Sequence, residues 1–213
     1  MLDVPVYNPD GEQIDTMQVD EAAFGGAVNP ALLKQAVVAY HDRRRQGSAR
    51  TRSRSQKQGS GRKLYRQKGT GMARRGARRT VLLRGGGVAF AKGPRGTPKG
   101  LPRKMRRAAL QSALLAKLQG ADVLVVDGLV VEAPKTREVA RVLANLGINR
   151  SCLLTLAERD RALYLSARNL PDVTVRVAAE LNAWDVATRQ KLLATRPALE
   201  ALVGVLEGNQ LRL

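Results

Sequence analysis

The sequence predicts an α/β fold, with a mostly parallel sheet and flanking helices, that is interrupted by a long basic extended loop. In the second half of the chain, short apolar runs alternate with segments of helical periodicity, as in a parallel sheet. Residues 41–107 hold 23 Lys+Arg and one acid, whereas the other 146 residues hold 14 Lys+Arg and 17 Asp+Glu. The basic segment also holds 12 of the 20 Gly, and it has too few apolar residues to order itself alone. We expect residues 1–46 and 101–213 to form one discontinuous globular domain and residues 47–100 to form the loop.

The first predicted elements are a hairpin and a helix. Residues 1–7 and 14–19 have the pattern of two short strands around a turn at 8–11, where Asn, Pro, Asp and Gly cluster. Asn29 precedes Pro30, which is the preferred order of an N-cap and a first helical residue. Apolar residues then recur at helical spacing, so this helix should run to about Arg44.

After the loop, predicted helices and strands alternate. A helix over 104–118 has its basic residues in the first turn, where cations oppose the helix dipole, so we expect a group outside the helix to compensate them. The apolar pattern then predicts strands at 122–126, 152–156, 173–177 and 183–188, and helices at 135–146, 160–167 and 197–207.

Composition excludes several classes of protein. The 213 residues carry a net charge of +19, and 44% are hydrophobic, which allows a core built mainly of Ala, Val and Leu. Cys152 is the single cysteine, so the chain forms no internal disulfide, and a reduced intracellular compartment is expected. The sequence has neither a signal-peptide pattern nor an apolar run of roughly 18 residues. We expect a soluble, unexported protein with no membrane partner.

The candidate catalytic and nucleotide-binding residues have simpler structural interpretations. Gly69 and Gly71 are followed by Arg74 where a dinucleotide motif needs Gly, and the Gly85–Gly87 run lacks the Lys-Ser/Thr pair of a phosphate loop. His41 is interpreted as a solvated histidine at a helix end and Cys152 as a small core residue. Asp122 and Asp127 are interpreted as strand-end carboxylates, and Trp184, with its neighbour Asp185, as a packing anchor. We therefore predict no enzyme, no cofactor and no metal.

The net charge of +22 over residues 41–107 predicts a polyanionic partner, because each neutralised phosphate releases counterions. Gly and Ser are too frequent here for the amphipathic helix of a membrane-surface protein. Arg outnumbers Lys by 17 to 6, which favours forked recognition of phosphate in folded RNA. Charge alone leaves open an RNA-chaperoning or DNA-compacting protein, and also an enzyme with a nucleotide-binding sheet and a basic docking insert.

Five segments in order along the chain carry a family resemblance. They are LYRQKGTGMARR at 64–75, GGVAF at 86–90, Lys104-Met105 opening a helix, VEAPKT at 131–136 and ARNL at 167–170. The sequence resembles the universal large-subunit ribosomal protein four family of bacteria over nearly its whole length. The family often has Trp at the position of Tyr65 and Arg at the position of Met72.

This resemblance implies a structural, ribonucleoprotein role in translation, with the globular domain on the large ribosomal subunit and the loop penetrating its RNA. It implies that the tip residues Gln67, Lys68, Gly69 and Thr70 help line the nascent-peptide exit tunnel, with Lys68 close to where macrolides bind. Implied partners are large-subunit rRNA, neighbouring large-subunit proteins and the nascent peptide, on cytoplasmic ribosomes. The residues predicted to bind rRNA are Arg43, Arg44, Arg45, Arg50, Arg52, Arg54, Lys57, Arg62, Lys63, Tyr65, Arg66, Lys68, Arg74, Arg75, Arg78, Arg79, Arg84, Lys92, Arg95 and Lys99. The principal alternative is a non-ribosomal RNA chaperone or DNA-compacting protein.

Overall fold

Six strands and six α-helices make up the regular structure in a computed structural model that describes residues 1–94, 96, 99–129, 131 and 133–207. The strands are β1 (Leu2–Tyr7), β2 (Gln13–Val19), β3 (Val123–Val126), β4 (Cys152–Leu156), β5 (Val173–Val177) and β6 (Lys191–Thr195). The helices are α1 (Pro30–Arg43), α2 (Arg103–Gln119), α3 (Thr136–Asn145), α4 (Arg161–Ala167), α5 (Ala183–Thr188) and α6 (Arg196–Glu207). Short 3-10 helices cover Glu21–Phe24 and Ala178–Glu180.

The chain divides into two compact units. The body comprises Met1–Asp42 and the described residues from Lys99 onward, and the basic arm is Arg43–Pro98. The body contains one sheet with strand order β2-β1-β3-β6-β4-β5. β1 pairs with β2 antiparallel, and the other pairings of the described strands are parallel. The predicted α/β fold with a mostly parallel sheet is therefore confirmed.

The predicted hairpin forms as β1 and β2, and its turn is held by one side chain. The Asn8 Oδ1 accepts hydrogen bonds from the Asp10 and Glu12 backbone N–H groups at 3.1 and 2.9 Å. Gly11 lies in the left-handed region, with φ of 92°, and a Cβ at this position would lie 2.7 Å from the Asn145 carbonyl oxygen. Since Asn145 ends α3, this glycine lets the hairpin turn pack closely against that helix.

The prediction of a strand at 183–188 is wrong, because this segment is α5 and the strand follows it as β6. Asn182 caps the helix, since its side-chain oxygen accepts from the Asp185 N–H at 2.9 Å. β6 contains a β-branched residue only at its end, Thr195, so its sequence lacks the usual strand signal. Its place between β3 and β4, buried at Leu192, Leu193 and Ala194, is set by tertiary packing.

Both faces of the parallel sheet are covered. Successive residues of one strand belong to different buried clusters: Val125 and Leu192 to one, Val126 and Leu193 to the other. This two-residue alternation sends neighbouring side chains to opposite faces. Helix α2 packs on the first face through Leu110, Leu114, Leu115 and other side chains, and α3 and α4 lie over the second through residues such as Val139 and Leu163. Each fully buried aliphatic side chain contributes about 1.5–3 kcal/mol.

The core is nearly free of aromatic rings, as the composition predicts, and Phe24 is the large exception at 1% exposure. Cys152 is fully buried beside Leu153 and Leu154, which confirms its assignment to the core. None of the helices in the described residues combines the length and apolarity needed to cross a membrane.

Candidate nucleic-acid interface

The positive charge of the protein is concentrated in the basic arm. Residues 43–98 contain 18 Lys+Arg and no Asp or Glu, which leaves 19 Lys+Arg against 18 Asp+Glu in the rest of the chain. The body is therefore close to neutral, and the arm carries almost the whole net charge. Because the segment itself contains no carboxylate, an external polyanion is suited to neutralise its positive charge.

Hydrogen bonds close residues 63–77 into a hairpin-like loop within the arm. Lys63 and Ala77 form an antiparallel bridge, and the Leu64 N–H donates to the Gly76 carbonyl at 3.1 Å. The Lys63 ammonium donates to the Arg75 carbonyl at 3.1 Å and to the Gln67 Oε1 at 2.7 Å. These contacts place residues 67–70, which we call the arm tip, at the end of the loop opposite the bridge.

Further contacts shape the arm tip. The Tyr65 hydroxyl donates to the Ala73 carbonyl, which joins the two sides of the loop, and the Arg66 Nη2 donates to the Gly69 carbonyl at 2.8 Å. Gly69 and Gly71 adopt φ values of 77° and 66°, which L-residues with side chains rarely adopt. Glycine is thus required by the backbone at two of the positions in the sequence motif.

A second set of contacts pairs the outgoing and returning sides of the arm. Ser53 and Val88 form a parallel bridge, and the Val88 N–H donates to the Arg52 carbonyl at 3.0 Å. Gly87 lies against this pairing, and a Cβ there would lie 2.3 Å from the Arg54 backbone nitrogen. Gly86 is equally constrained, since a Cβ would lie 1.9 Å from the Thr80 carbonyl oxygen. The Gly85–Gly87 run lacks the phosphate-loop pattern. At Gly86 and Gly87, the backbone lies too close to its neighbours for any side chain to fit.

The structure displays the predicted RNA-binding residues at the surface. Lys57, Tyr65, Arg75 and Arg79 are half-buried, and the other predicted residues within the described part of the chain are exposed. Arg95 lies outside the described residues. The predicted arm-tip residues Gln67, Lys68 and Gly69 are exposed, and Thr70 is half-buried. The arm therefore presents a surface of cations on a glycine-shaped backbone.

One group of cations was missed by the sequence prediction of the site. Arg103, Lys104 and Arg106 lie in the first turns of α2, which has no acid in its first turn and begins after Pro102 without a side-chain cap. The Arg106 Nε is buried and makes no hydrogen bond with the described residues. The first turn of the helix supplies no compensating group of its own, and compensation by a group outside the helix stays a prediction. The signal was the basic opening of the predicted helix, which lies just outside the loop boundary.

The candidate catalytic residues have structural partners instead. Asp122 receives the Lys191 ammonium at 2.7 Å and the Lys117 ammonium at 3.5 Å, and the hydrogen bond from Lys191 is the main reason that its pKa lies below the usual value. Burial raises the pKa of the Cys152 thiol to about 12, which removes its nucleophilic thiolate at neutral pH. Asp127 lies 3.5 Å from the Arg196 guanidinium.

The last three candidates are also accounted for by contacts within the body. Asp185 is nearly buried and accepts from the Arg176 Nε at 3.0 Å and from the Asn182 amide at 2.8 Å. The exposed His41 ring lies 5.4 Å from the Trp184 ring, between centroids. Over the described residues, acidic, histidine and cysteine side chains form no cluster that could hold a metal ion. The six candidate residues are thus engaged in structural contacts or buried, and the exposed cations of the arm are suited to binding a polyanion.

Comparisons with known proteins point to one family. A profile of the Ribosomal protein L4/L1 family matches residues 17–205. The chain is 45% identical over 206 residues to the large ribosomal subunit protein uL4 of Symbiobacterium thermophilum, covering 97% of this chain and 100% of that protein. A protein of the same name from Pelotomaculum thermopropionicum is 45% identical over 199 residues, 93% of this chain and 96% of the relative. The protein of this name from Desulforudis audaxviator is 43% identical over 201 residues, which cover 94% of this chain and 97% of the relative.

Proposed function

Since this chain belongs to the Ribosomal protein L4/L1 family, we propose that it is a structural, non-enzymatic component of the large ribosomal subunit in the cytoplasm. Its partners there are large-subunit rRNA and other ribosomal proteins. The observation that carries the proposal is the basic arm, with 18 Lys+Arg and no acid on a backbone shaped by glycine. The stretch proposed to enter the RNA is residues 47–100, and the predicted basic residues and Tyr65 are its contacts.

Two physical effects support RNA binding by the arm. Each arginine or lysine that neutralises a phosphate releases condensed counterions, so the gain in affinity accumulates along the arm. The chain entropy lost on binding is reduced where the backbone is already paired, as at Lys63–Ala77 and Ser53–Val88. The function is therefore to hold separate RNA segments at fixed positions, and no turnover is involved.

The arm tip is the segment proposed to line the nascent-peptide exit tunnel. It lies at the far end of a closed loop, and its backbone is held by the contact from Arg66 to Gly69 at 2.8 Å. The exposed Lys68 side chain is free of the bonds that close the loop at Lys63. Such a tip can face an open passage while the flanking cations hold RNA. The nascent peptide is accordingly a proposed transient partner.

The proposal is tested by measuring binding of the purified chain to its large-subunit rRNA and to an equal mass of duplex DNA across a salt series. We expect rRNA binding to persist at salt concentrations at which DNA binding is lost, because shape and base contacts add to the charge term. Equal affinities that fall together with salt would contradict a shaped fit. That result would favour the RNA-chaperoning or DNA-compacting alternative.

The tip assignment is tested by Lys68→Glu in assembled ribosomes. We expect altered macrolide sensitivity with largely normal incorporation into the large subunit, because the change reverses a charge at the tip and leaves the loop-closing bonds intact. Arg137→Glu is the control, since it reverses a charge at an exposed position of α3 that is not among the proposed rRNA contacts. If Lys68→Glu prevents incorporation, Lys68 is an assembly contact and the tip assignment is wrong.

A further inference from the structure

We propose that Phe90 is a base-stacking site, at which the ring packs against an unpaired nucleobase of the bound RNA. This inference rests on the proposed function, because it specifies one contact of the arm with RNA. Phe90 is 96% exposed, whereas the other phenylalanine, Phe24, is 1% exposed. Exposing an entire aromatic ring gives the free protein no stabilisation, so its contribution depends on a partner that covers it.

The backbone on both sides of Phe90 is fixed. The Val88 N–H donates to the Arg52 carbonyl at 3.0 Å. Two residues after Phe90, the Lys92 N–H donates to the Thr51 hydroxyl at 2.7 Å, and the Lys92 carbonyl accepts from the Thr51 N–H at 3.0 Å. Residues 89–91 therefore project as a turn between two anchored positions, with Phe90 at its centre.

Because its backbone is anchored, Phe90 differs from an exposed apolar residue on a flexible tail. Gly87 packs so closely against Arg54 that a Cβ would meet the Arg54 nitrogen at 2.3 Å, which ties the start of the turn to the opposite side of the arm. An aromatic side chain has two rotatable angles, and its backbone is already held here. Little freedom remains to be lost when the ring is covered, which is the general advantage of preorganisation.

Charge identifies the class of partner. The side chains of Arg52, Arg54 and Lys92 are exposed on the residues that hold or adjoin the turn, and the whole arm contains no acid. A partner of this surface must be anionic and must also offer an apolar face to the ring. Single-stranded or looped RNA provides both, because each flat base is flanked by phosphates. The proposal therefore commits to a nucleobase.

The test measures rRNA affinity of full-length variants in the same salt series. We expect Phe90→Ala to lose roughly 5- to 150-fold in affinity, the range found when stacking side chains are removed. The slope against salt should not change, because no phosphate contact is removed. Phe90→Tyr should retain affinity, whereas Phe90→Leu should not restore it, since an apolar side chain without a ring cannot stack.

Leu82→Ala is the matched control, because Leu82 is also an exposed apolar residue of the arm, at 81% exposure. It should cost less affinity than Phe90→Ala. A second readout uses Phe90→Trp in a Trp184→Phe background. The fluorescence of its single tryptophan should be quenched when rRNA binds. The proposal is overturned if Phe90→Ala binds rRNA with unchanged affinity, or if Phe90→Leu binds rRNA as tightly as the unaltered chain.

The controls separate this inference from the proposed function. If the unaltered chain shows no preference for rRNA over DNA, the ribosomal proposal itself fails. If that preference is present and Phe90→Ala binds rRNA normally but fails to enter the subunit, the ring contacts a neighbouring protein, and only the stacking site is wrong.

Discussion

At the residue scale, Cys152 shows how burial fixes the chemistry of a side chain. It lies at the start of β4, pairs with Val173 on one side and Lys191 on the other, and is fully buried. Burial raises the pKa of its thiol to about 12 from an ordinary value of 9.0. The folded state thus binds this proton more tightly than the unfolded state does.

This shift predicts a loss of stability in alkali. Because the folded pKa lies above the unfolded one, the thiol's contribution is fully present below about pH 9 and is lost as the pH rises from 9 toward 12. Between pH 8 and pH 10 the unfolding free energy should fall by about 1.4 kcal/mol more in the natural chain than in Cys152→Ala. Urea unfolding of both chains at the two pH values measures the difference, and parallel losses would contradict it.

The contacts between individual residues of the arm were the part of the site that could least be predicted from the sequence. The number of cations and the glycine motif identified the segment, since both can be read directly from the sequence. The bonds from Lys63 to the Arg75 carbonyl and from Tyr65 to the Ala73 carbonyl join residues that no local pattern links. The turn that carries Phe90 is likewise anchored by the hydrogen bond from the Val88 N–H to the Arg52 carbonyl, which joins residues far apart in sequence.

At the element scale, the sequence predicted most strands and helices because their signals are local. Asn29 caps α1 as its position before Pro30 suggests, with its side-chain oxygen accepting from the Leu32 N–H at 3.0 Å. The error at α5 and β6 has the opposite cause. The Asn182 cap was a local signal that was overlooked, and β6 takes its conformation from two neighbouring strands that are distant in sequence.

The β1–β2 turn gives a prediction about how one element packs on another. Gly11 and Gly25 have similar φ values of 92° and 86°, so alanine at either position incurs a similar backbone strain. A Cβ at Gly11 would lie 2.7 Å from the Asn145 carbonyl, whereas at Gly25 nothing lies within 4 Å. Gly11→Ala should therefore destabilise the body by about 1–3 kcal/mol more than Gly25→Ala. Denaturant unfolding measures both, and equal losses would show that the turn moves away from α3 without strain.

At the scale of the whole molecule, charge and fold are divided between two segments of the chain. The residues outside the arm hold 19 Lys+Arg and 18 Asp+Glu, and the six strands of the described sheet all lie in the body. Residues 99–101, where the chain re-enters the body, line a groove of about 800 Å³ together with Ala31, Lys34 and Val38 of α1. The chain therefore returns to the body beside the helix from which it left.

This arrangement predicts that the arm can be removed without unfolding the body. A variant that joins Asp42 to Lys99 through a short glycine-serine linker should fold and gain roughly 1–2 kcal/mol of stability, because it closes a much shorter loop. It should also lose its affinity for rRNA. Circular dichroism with urea unfolding measures the first effect, and the rRNA salt series measures the second. Retained rRNA affinity would transfer the binding role to the body, with the basic turn of α2 as the first place to examine.

The position of β6 has a consequence for biosynthesis. It is the last of the described strands to be translated, yet it lies in the sheet between β3 and β4, so this sheet stays in two parts until β6 has emerged. The basic arm is translated roughly a hundred residues earlier. At ordinary elongation rates it is exposed for roughly 5–20 s before the body can close. During that interval the nascent chain presents its cations to every polyanion in the cell, so the arm needs either rapid capture by its own RNA or temporary protection.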